Sequence, residues 1–351
     1  MKILITGICG FAGSTIARAL QAERPGIELI GLDNLSREGS HLNLAPLRTA
    51  GVKVVHGDLR NTPDLDALPP VDAVVDCAAE PSVLAGLDSG GSSRRLIGHN
   101  LIGTLNLLEY CKRHRAALVL LSTSRVYSIP LLAELPLIVH RGGFALDPTR
   151  TLPQGVSASG VDESFSTAPP VSLYGATKRA SETMALEYGH AFAFPVWINR
   201  CGVLAGAGQF GRADQGIFSY WIREWASRRP LRHLGFDGEG YQVRDCLHPA
   251  DLAPLLLAQL DAPSAPVPRV LNISGGMTRC MSLRQLGAWC GERFGPHEVG
   301  FDQQTRPYDL PWIVLDSTAA EKAWDWRPRT SLLSVLEEIA THSLAHPNWP
   351  Y

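Results

Sequence analysis

The first half of the chain alternates short apolar runs with stretches of helical periodicity, and that alternation restricts the fold more than any other feature. Ile3–Thr6, Ile27–Leu32, Val52–His56, Ala73–Cys77 and Ala117–Ser122 read as strands. Before the fifth run, Leu101, Leu105 and Leu108 keep one apolar face on a helix expected over Asn100–Arg113. Strands joined through helices line up in a parallel, doubly wound sheet with helices on both faces. Val196–Arg200 reads as another strand, and Val270–Ser274 returns to the sheet after a helix over Asp251–Leu260. At 351 residues the chain exceeds one ordinary domain, so an α/β core with a smaller, discontinuous mixed α/β substrate lobe is expected. The core is expected to take 1–198 plus about 245–275, and the lobe about 199–244 plus 276–351.

The turn after the first strand says what the core binds. Gly7-Ile8-Cys9-Gly10-Phe11-Ala12-Gly13 follows a strand and opens a helix, where glycines let the backbone approach a pyrophosphate at the helix N-terminus. That is a Rossmann-type arrangement with Gly7, Gly10, Phe11 and Gly13 nearest the ligand. Asp33 stands 20 residues after Gly13, at the end of the second strand, where a carboxylate accepts both hydroxyls of an adenosine ribose. It repels a 2′-phosphate, so NAD is expected over NADP; Arg37 is a small argument the other way. Asp58-Leu59, after the third strand, is expected near the adenine edge.

Two further phrases carry chemistry. Ser122-Thr123-Ser124-Arg125-Val126-Tyr127 closes the fifth apolar run, and Tyr174-Gly175-Ala176-Thr177-Lys178 opens a helical one. A tyrosine and a lysine four apart share a helix face, so the Lys178 ammonium is expected to lower the Tyr174 phenol from its usual ~10 and make it a base for an alcohol. Between the phrases, 128–172 is rich in Pro, Gly and Ser and has no sustained period. So long a connection is expected to be a partly ordered wall or lid over the substrate, or a surface insertion.

Composition removes other classes. A net charge of −2 and a pI near 6.6 leave no basic footprint for nucleic acid. No apolar run approaches the ~18 residues of a membrane span. Seven cysteines without a CxxC pair and an opening directly on a strand lead to the expectation of a reduced, cytoplasmic protein. The eleven histidines show neither HExxH nor a Cys/His cluster, so no metal is expected. His248 reads as a cap, and Trp324 and Trp326 as core packing.

Taken together, Gly7–Gly13, Asp33-Asn34, Asp58-Leu59, the Asn100-Leu101-Ile102-Gly103-Thr104 run, the Thr123 phrase, Tyr174–Lys178 and Arg244-Asp245 resemble the extended short-chain dehydrogenase/reductases. These are the nucleotide-sugar epimerases and dehydratases. The resemblance spans nearly the whole chain. It implies that Tyr174 exchanges a proton with a sugar hydroxyl, Lys178 holds the nicotinamide ribose and Thr123 hydrogen-bonds the reacting oxygen. Asn34, Ala78 and Asn100 join the expected NAD contacts, and Arg244 and Arg306 are expected on the substrate diphosphate, with salt bridges to Asp245 or Asp309 as the alternative. Ser124, Arg125, Gln209, Phe210 and Gln215 complete the expected substrate contacts, and a homodimer is the family expectation. Related 4,6-dehydratases carry Thr-Asp-Glu where this chain has Thr123-Ser124-Arg125, so dehydration is disfavoured. Asp214-Gln215-Gly216 and Gln242-Val243-Arg244-Asp245 resemble the CDP-tyvelose (CDP-paratose) 2-epimerase group, which implies inversion at C2 of a CDP-linked deoxyhexose. Inversion at C4, and a non-catalytic dinucleotide sensor, stay open as alternatives.

Overall fold

The computed structural model describes residues 1–87 and 92–350. Seven parallel strands form the central sheet: β1 (Lys2–Thr6), β2 (Glu28–Asp33), β3 (Lys53–His56), β4 (Ala73–Asp76), β5 (Ala117–Thr123), β6 (Val196–Cys201) and β7 (Val270–Ile273). Their order is β7-β6-β5-β4-β1-β2-β3. Every expected strand is present, with ends displaced by a residue or two. Ile3, Leu4 and Ile5 of β1 and Leu118, Val119 and Leu120 of β5 are all fully buried. Near-continuous apolar runs are what a parallel sheet covered on both faces requires.

α1 (Phe11–Glu23) and the helix Leu252–Asp261 cover one face, where Ile16, Leu20, Leu252 and Leu256 meet Ile3, Ile5 and Val119. α2 (Gly103–His114) and α3 (Ser172–Phe192) cover the other, where Leu107, Leu108 and Ala185 meet Leu4, Val74 and Leu118. The chain lays β2 and β3 outward from β1, then returns to the far side of β1 for β4. Loops leaving β1 and β4 therefore diverge, and the crevice at their carboxyl ends is where ligands of such sheets bind. α2 begins three residues later than expected because a π-helical turn, Gly98–Ile102, precedes it.

The second lobe is built on a three-stranded sheet. Val243–Asp245 pairs antiparallel with Cys280–Ser282 and parallel with Trp312–Ile313. Helices Ile217–Ala226, Leu283–Phe294 and Leu332–Ala345 pack beside it around Phe218, Trp221, Leu286 and Leu336. Trp324 lies edge-on to Trp197 at 5.2 Å and Trp326 is buried, so this segment packs the core as expected.

The 128–172 segment departs from the expected wall or lid. It forms a helix, Ile129–Ala133, and two hairpins, Leu137–His140 with Gly143–Leu146 and Val156–Ser157 with Gly160–Val161. Leu132, Leu135, Val161 and Phe165 bury against Leu310–Leu315. Those four side chains are used in that second core, and none of the segment's residues lines the cavity described next.

Candidate active site

The carboxyl ends of the central strands open into a cavity of about 670 Å³ between core and lobe. At one end is the β1–α1 turn. Gly7 has φ +61°, and a Cβ there would stand 2.9 Å from Ala78 Cα; a Cβ on Gly13 would stand 2.4 Å from the Gly7 carbonyl oxygen. Side chains at these positions would fill the cradle that brings α1 close to β1 and β4. α1 starts behind Gly10 with no acidic residue in its first turn, so its positive end lines the cavity unneutralised. Such an end accepts a pyrophosphate.

Asp33 accepts hydrogen bonds from the Leu35 and Cys9 amides, each 2.8 Å. Burial raises its carboxyl above the ordinary range, against the pull of those two bonds. Arg37 is occupied elsewhere: Nη2 donates to the Phe210 carbonyl at 2.5 Å and to Gln215 Oε1 at 3.0 Å. The residue that argued for a 2′-phosphate instead ties the core to the lobe. Arg60 grips Asp58 through bonds of 2.9 and 2.6 Å, Asn34 adds one of 3.0 Å, and Arg60 chiefly holds that carboxyl well below its usual range. Leu59 and Ala78 line the same wall.

α3 brings Tyr174 and Lys178 to the middle of the cavity, both buried, and β5 ends beside them at Thr123. Burial pushes the Tyr174 phenol up to about 12, while the Thr123 hydroxyl and the Arg125 guanidinium pull the other way. This corrects the expected lowering by Lys178. Enclosing a phenolate costs more than its neighbours return, and the neighbours that oppose the cost are Thr123 and Arg125. Two turns beyond Tyr174, the fully buried Glu182 is held by Arg200 at 3.0 and 2.8 Å and accepts from Ser122 Oγ at 2.5 Å. That network ties α3 to β5 and β6 and so keeps Tyr174 in register with Thr123.

The far end is cationic. Arg244 Nη2 donates to Asp309 Oδ1 at 2.7 Å, Arg306 Nη2 reaches Oδ2 of the same carboxylate at 3.4 Å, and Arg125 Nη1 donates to the Tyr308 carbonyl at 3.0 Å. Burial raises the Asp309 pKa, but Arg244, Arg306 and Arg125 together bring it below the ordinary range. Arg125, Arg244 and Arg306 outnumber Asp309 and Asp245, the carboxylates that act on them here, and all three arginines line the cavity wall. The alternative of a salt bridge to Asp309 therefore holds for Arg244 and Arg306 without removing them from the cavity.

Ser124, Gln209, Phe210 and Gln215 also line the cavity. The Gln209 amide is used within the lobe, donating to the Leu204 carbonyl at 2.8 Å and accepting from Ser219 Oγ at 2.7 Å. Phe210 stacks on Trp349 with ring centres 5.7 Å apart. Asn100 is the expected contact that does not face the cavity. The π-helical turn directs its amide at the Glu80 backbone, accepting from its N–H at 2.7 Å and donating to its carbonyl at 3.1 Å, so it shapes the loop after β4. Cys201 lines the cavity but burial pushes its thiol up to about 12, an unreactive state. His248 caps the turn Pro249–Asp251 through Nδ1, as expected. Asp214, bonded to Ser82 across the crevice, was not singled out; its place within the Asp-Gln-Gly phrase was the available signal.

A doubly wound sheet with a glycine turn at its switch point, an acidic residue ending β2 and a Tyr-x-x-x-Lys helix at the cavity defines a Rossmann-type dinucleotide protein. More specifically, the chain belongs to the NAD dependent epimerase/dehydratase family, which residues 3–274 match. It is 29% identical over 340 residues to the CDP-paratose 2-epimerase of Salmonella typhi, covering 94% of this chain and 96% of that one. It is 28% identical over 352 residues to a dTDP-glucose 4,6-dehydratase of Streptomyces niveus, covering 96% and 91%. The structure of UDP-glucuronic acid 4-epimerase from Bacillus cereus, in complex with UDP-glucuronic acid and NAD, superposes with a TM-score of 0.78. That likeness extends over 98% of this chain and 99% of that one at 23% identity, and it shares the fold. The family's cofactor is NAD, and the glycine cradle and Asp33 fit it.

Proposed function

We propose that the protein inverts a nucleotide-linked sugar at C2, interconverting substrates of the CDP-paratose and CDP-tyvelose type. The observation that carries the reading is the makeup of the cavity wall. A hydroxyl, a phenol and an ammonium (Thr123, Tyr174, Lys178) meet there, yet Ser124 and Arg125 stand where eliminating relatives place carboxylates. The 29% identity to a CDP-paratose 2-epimerase supports the choice of carbon.

A sugar C2–H has no carbonyl beside it, so inversion there requires oxidation and re-reduction. NAD, held by the Gly7–Gly13 turn and Asp33, supplies a hydride acceptor that can give the hydride back. Tyr174, acting from its phenolate form, takes the proton of the C2 hydroxyl as the carbonyl forms and, as the phenol, returns it when the alcohol is restored. The Thr123 hydroxyl orients the same oxygen, and Lys178 holds the nicotinamide ribose. Arg244 and Arg306 keep the diphosphate in place while the keto sugar presents its other face. The active form is a homodimer.

The reading is tested with CDP-paratose deuterated at C2 and no added cofactor. The account expects CDP-tyvelose carrying the deuterium at C2. Washout of the label into water would instead mean enolisation and would remove the hydride mechanism.

A further inference from the structure

The sequence offers Arg125 as a substrate contact and as the absence of a carboxylate; in the structure its side chain takes a more particular place. Its backbone belongs to the catalytic wall. The Arg125 N–H donates to Thr123 Oγ1 at 3.2 Å, and its carbonyl oxygen lies so close to Gly175 that a Cβ there would stand 2.2 Å from it. Residue 125 is therefore wedged between the hydroxyl ligand and the helix turn that carries Tyr174. Its side chain leaves that wall for the anion end of the cavity, where it bonds the Tyr308 carbonyl and joins Arg244 and Arg306 around Asp309. All three arginines line the cavity. One residue thus joins the two ends, its backbone set in the wall of Thr123 and Tyr174 and its guanidinium in the anion site.

That span has a geometric consequence for a sugar nucleotide. In a pyranose the phosphate hangs from C1. C2 is the neighbouring carbon, and C4 is at the opposite corner of the ring. A guanidinium whose own backbone flanks Thr123 and the turn of Tyr174, and which belongs to the phosphate-binding cluster, keeps that cluster within one side-chain length of the reacting hydroxyl and fits a substrate whose reacting carbon adjoins the glycosidic phosphate. Its planar fork can bond a phosphate oxygen while its field reaches the phenol. For C4 to stand at Tyr174, the phosphate would have to lie a full ring width farther away, and a cation at this place would meet the ring.

We propose that Arg125 is a specificity-determining residue, a ruler that holds the glycosidic phosphate next to Tyr174 so that C2 is the carbon presented for oxidation. The proposal rests on the C2 reading above and deepens it. Arg244 and Arg306 then supply affinity for the diphosphate, and Arg125 supplies register.

The test compares Arg125→Gln, Arg125→Lys and Arg244→Gln with wild type, each purified with its bound NAD and checked for an unchanged circular dichroism spectrum. Steady-state kinetics are run with CDP-paratose, and products from CDP-glucose, which has free hydroxyls at C2 and C4, are assigned by NMR. Arg125→Gln is expected to lose kcat by about 100-fold, the scale of a misplaced reacting atom. Its KM should change by less than about threefold, and C4 inversion should appear among its CDP-glucose products. Arg125→Lys recovers part of kcat, while Arg244→Gln shows the opposite split, with KM raised and kcat largely kept. An Arg125→Gln enzyme with wild-type kcat, or one whose loss lies wholly in KM as for Arg244→Gln, overturns the ruler alone if wild type inverts C2. Wild type inverting C4 overturns the ruler and the C2 reading together.

Discussion

Asp309 is the carboxylate that Arg244 and Arg306 both reach, and replacing it with the isosteric asparagine isolates what that arrangement costs and what it binds. The Asp309 side chain is 1% exposed, and its partners Arg244 and Arg306 are 11% and 30% exposed at 2.7 and 3.4 Å. Removing one partner of a buried pair costs about 3–5 kcal/mol, because the other charge stays buried without compensation. Arg306 is farther away and better solvated, so nearly all of the loss falls on Arg244. Asp309→Asn should therefore lie at the low end, about 3 kcal/mol, a fall in Tm on the order of 5 °C by calorimetry. Asp309 titrates below the ordinary carboxylate range, so its contribution is fully present above pH ~4 and is lost only as acid carries the solution through its depressed pKa. The deficit should accordingly be constant between pH 6 and 8. Saturating CDP supplies phosphate oxygens to the same guanidinium groups and should shrink the deficit to under about 1 kcal/mol. A variant that melts with wild type, or one whose deficit CDP leaves untouched, would refute the view of this cluster as an anion site held in readiness by one carboxylate.

Other changes probe the remaining parts of the site. Tyr174→Phe should lose about 10²–10⁴-fold in kcat while the purified protein keeps its bound cofactor, measured from its absorbance. Thr123→Val removes one of the two groups that hold the phenol down against burial, so the limb of kcat/KM that rises with pH should move to higher pH. Asp33→Ala takes away the acceptor of two backbone N–H groups at the ribose position, and NAD affinity by fluorescence titration should fall about 10- to 100-fold. Glu182→Gln leaves Arg200 buried beside an uncharged amide and should cost about 3–5 kcal/mol in urea denaturation, with no change in which carbon is inverted.

The core was readable because its signals are local and repeated. Each strand of the central sheet is an apolar run of four to seven residues, and the glycine turn and Asp33 sit at fixed offsets from two of them. What escaped depends on contacts distant in sequence. Leu132, Leu135, Val161 and Phe165 of 128–172 lie in or beside short elements that show no period, and the surface they cover begins at Leu310. Asn100 was expected to open the helix that starts at Gly103, but it lies in the π-helical turn before it, and the turn that directs its amide toward Glu80 leaves no mark in composition. The spacing of Tyr174 and Lys178 gave their common face correctly and misjudged the phenol, since spacing does not weigh burial. Arg125 was expected among the substrate contacts and as a missing acid, but its place at the anion end was hidden because Tyr308, which fixes its direction, lies 183 residues away.

The central claim is decided by the product formed. The purified protein, without added NAD, is incubated separately with CDP-paratose, UDP-glucose and UDP-glucuronic acid, and each mixture is followed by proton NMR. The account predicts equilibration of CDP-paratose with its C2 epimer, read from the coupling between H1 and H2, and no inversion of the other two. Inversion of UDP-glucose or UDP-glucuronic acid at C4 with CDP-paratose unchanged would contradict it.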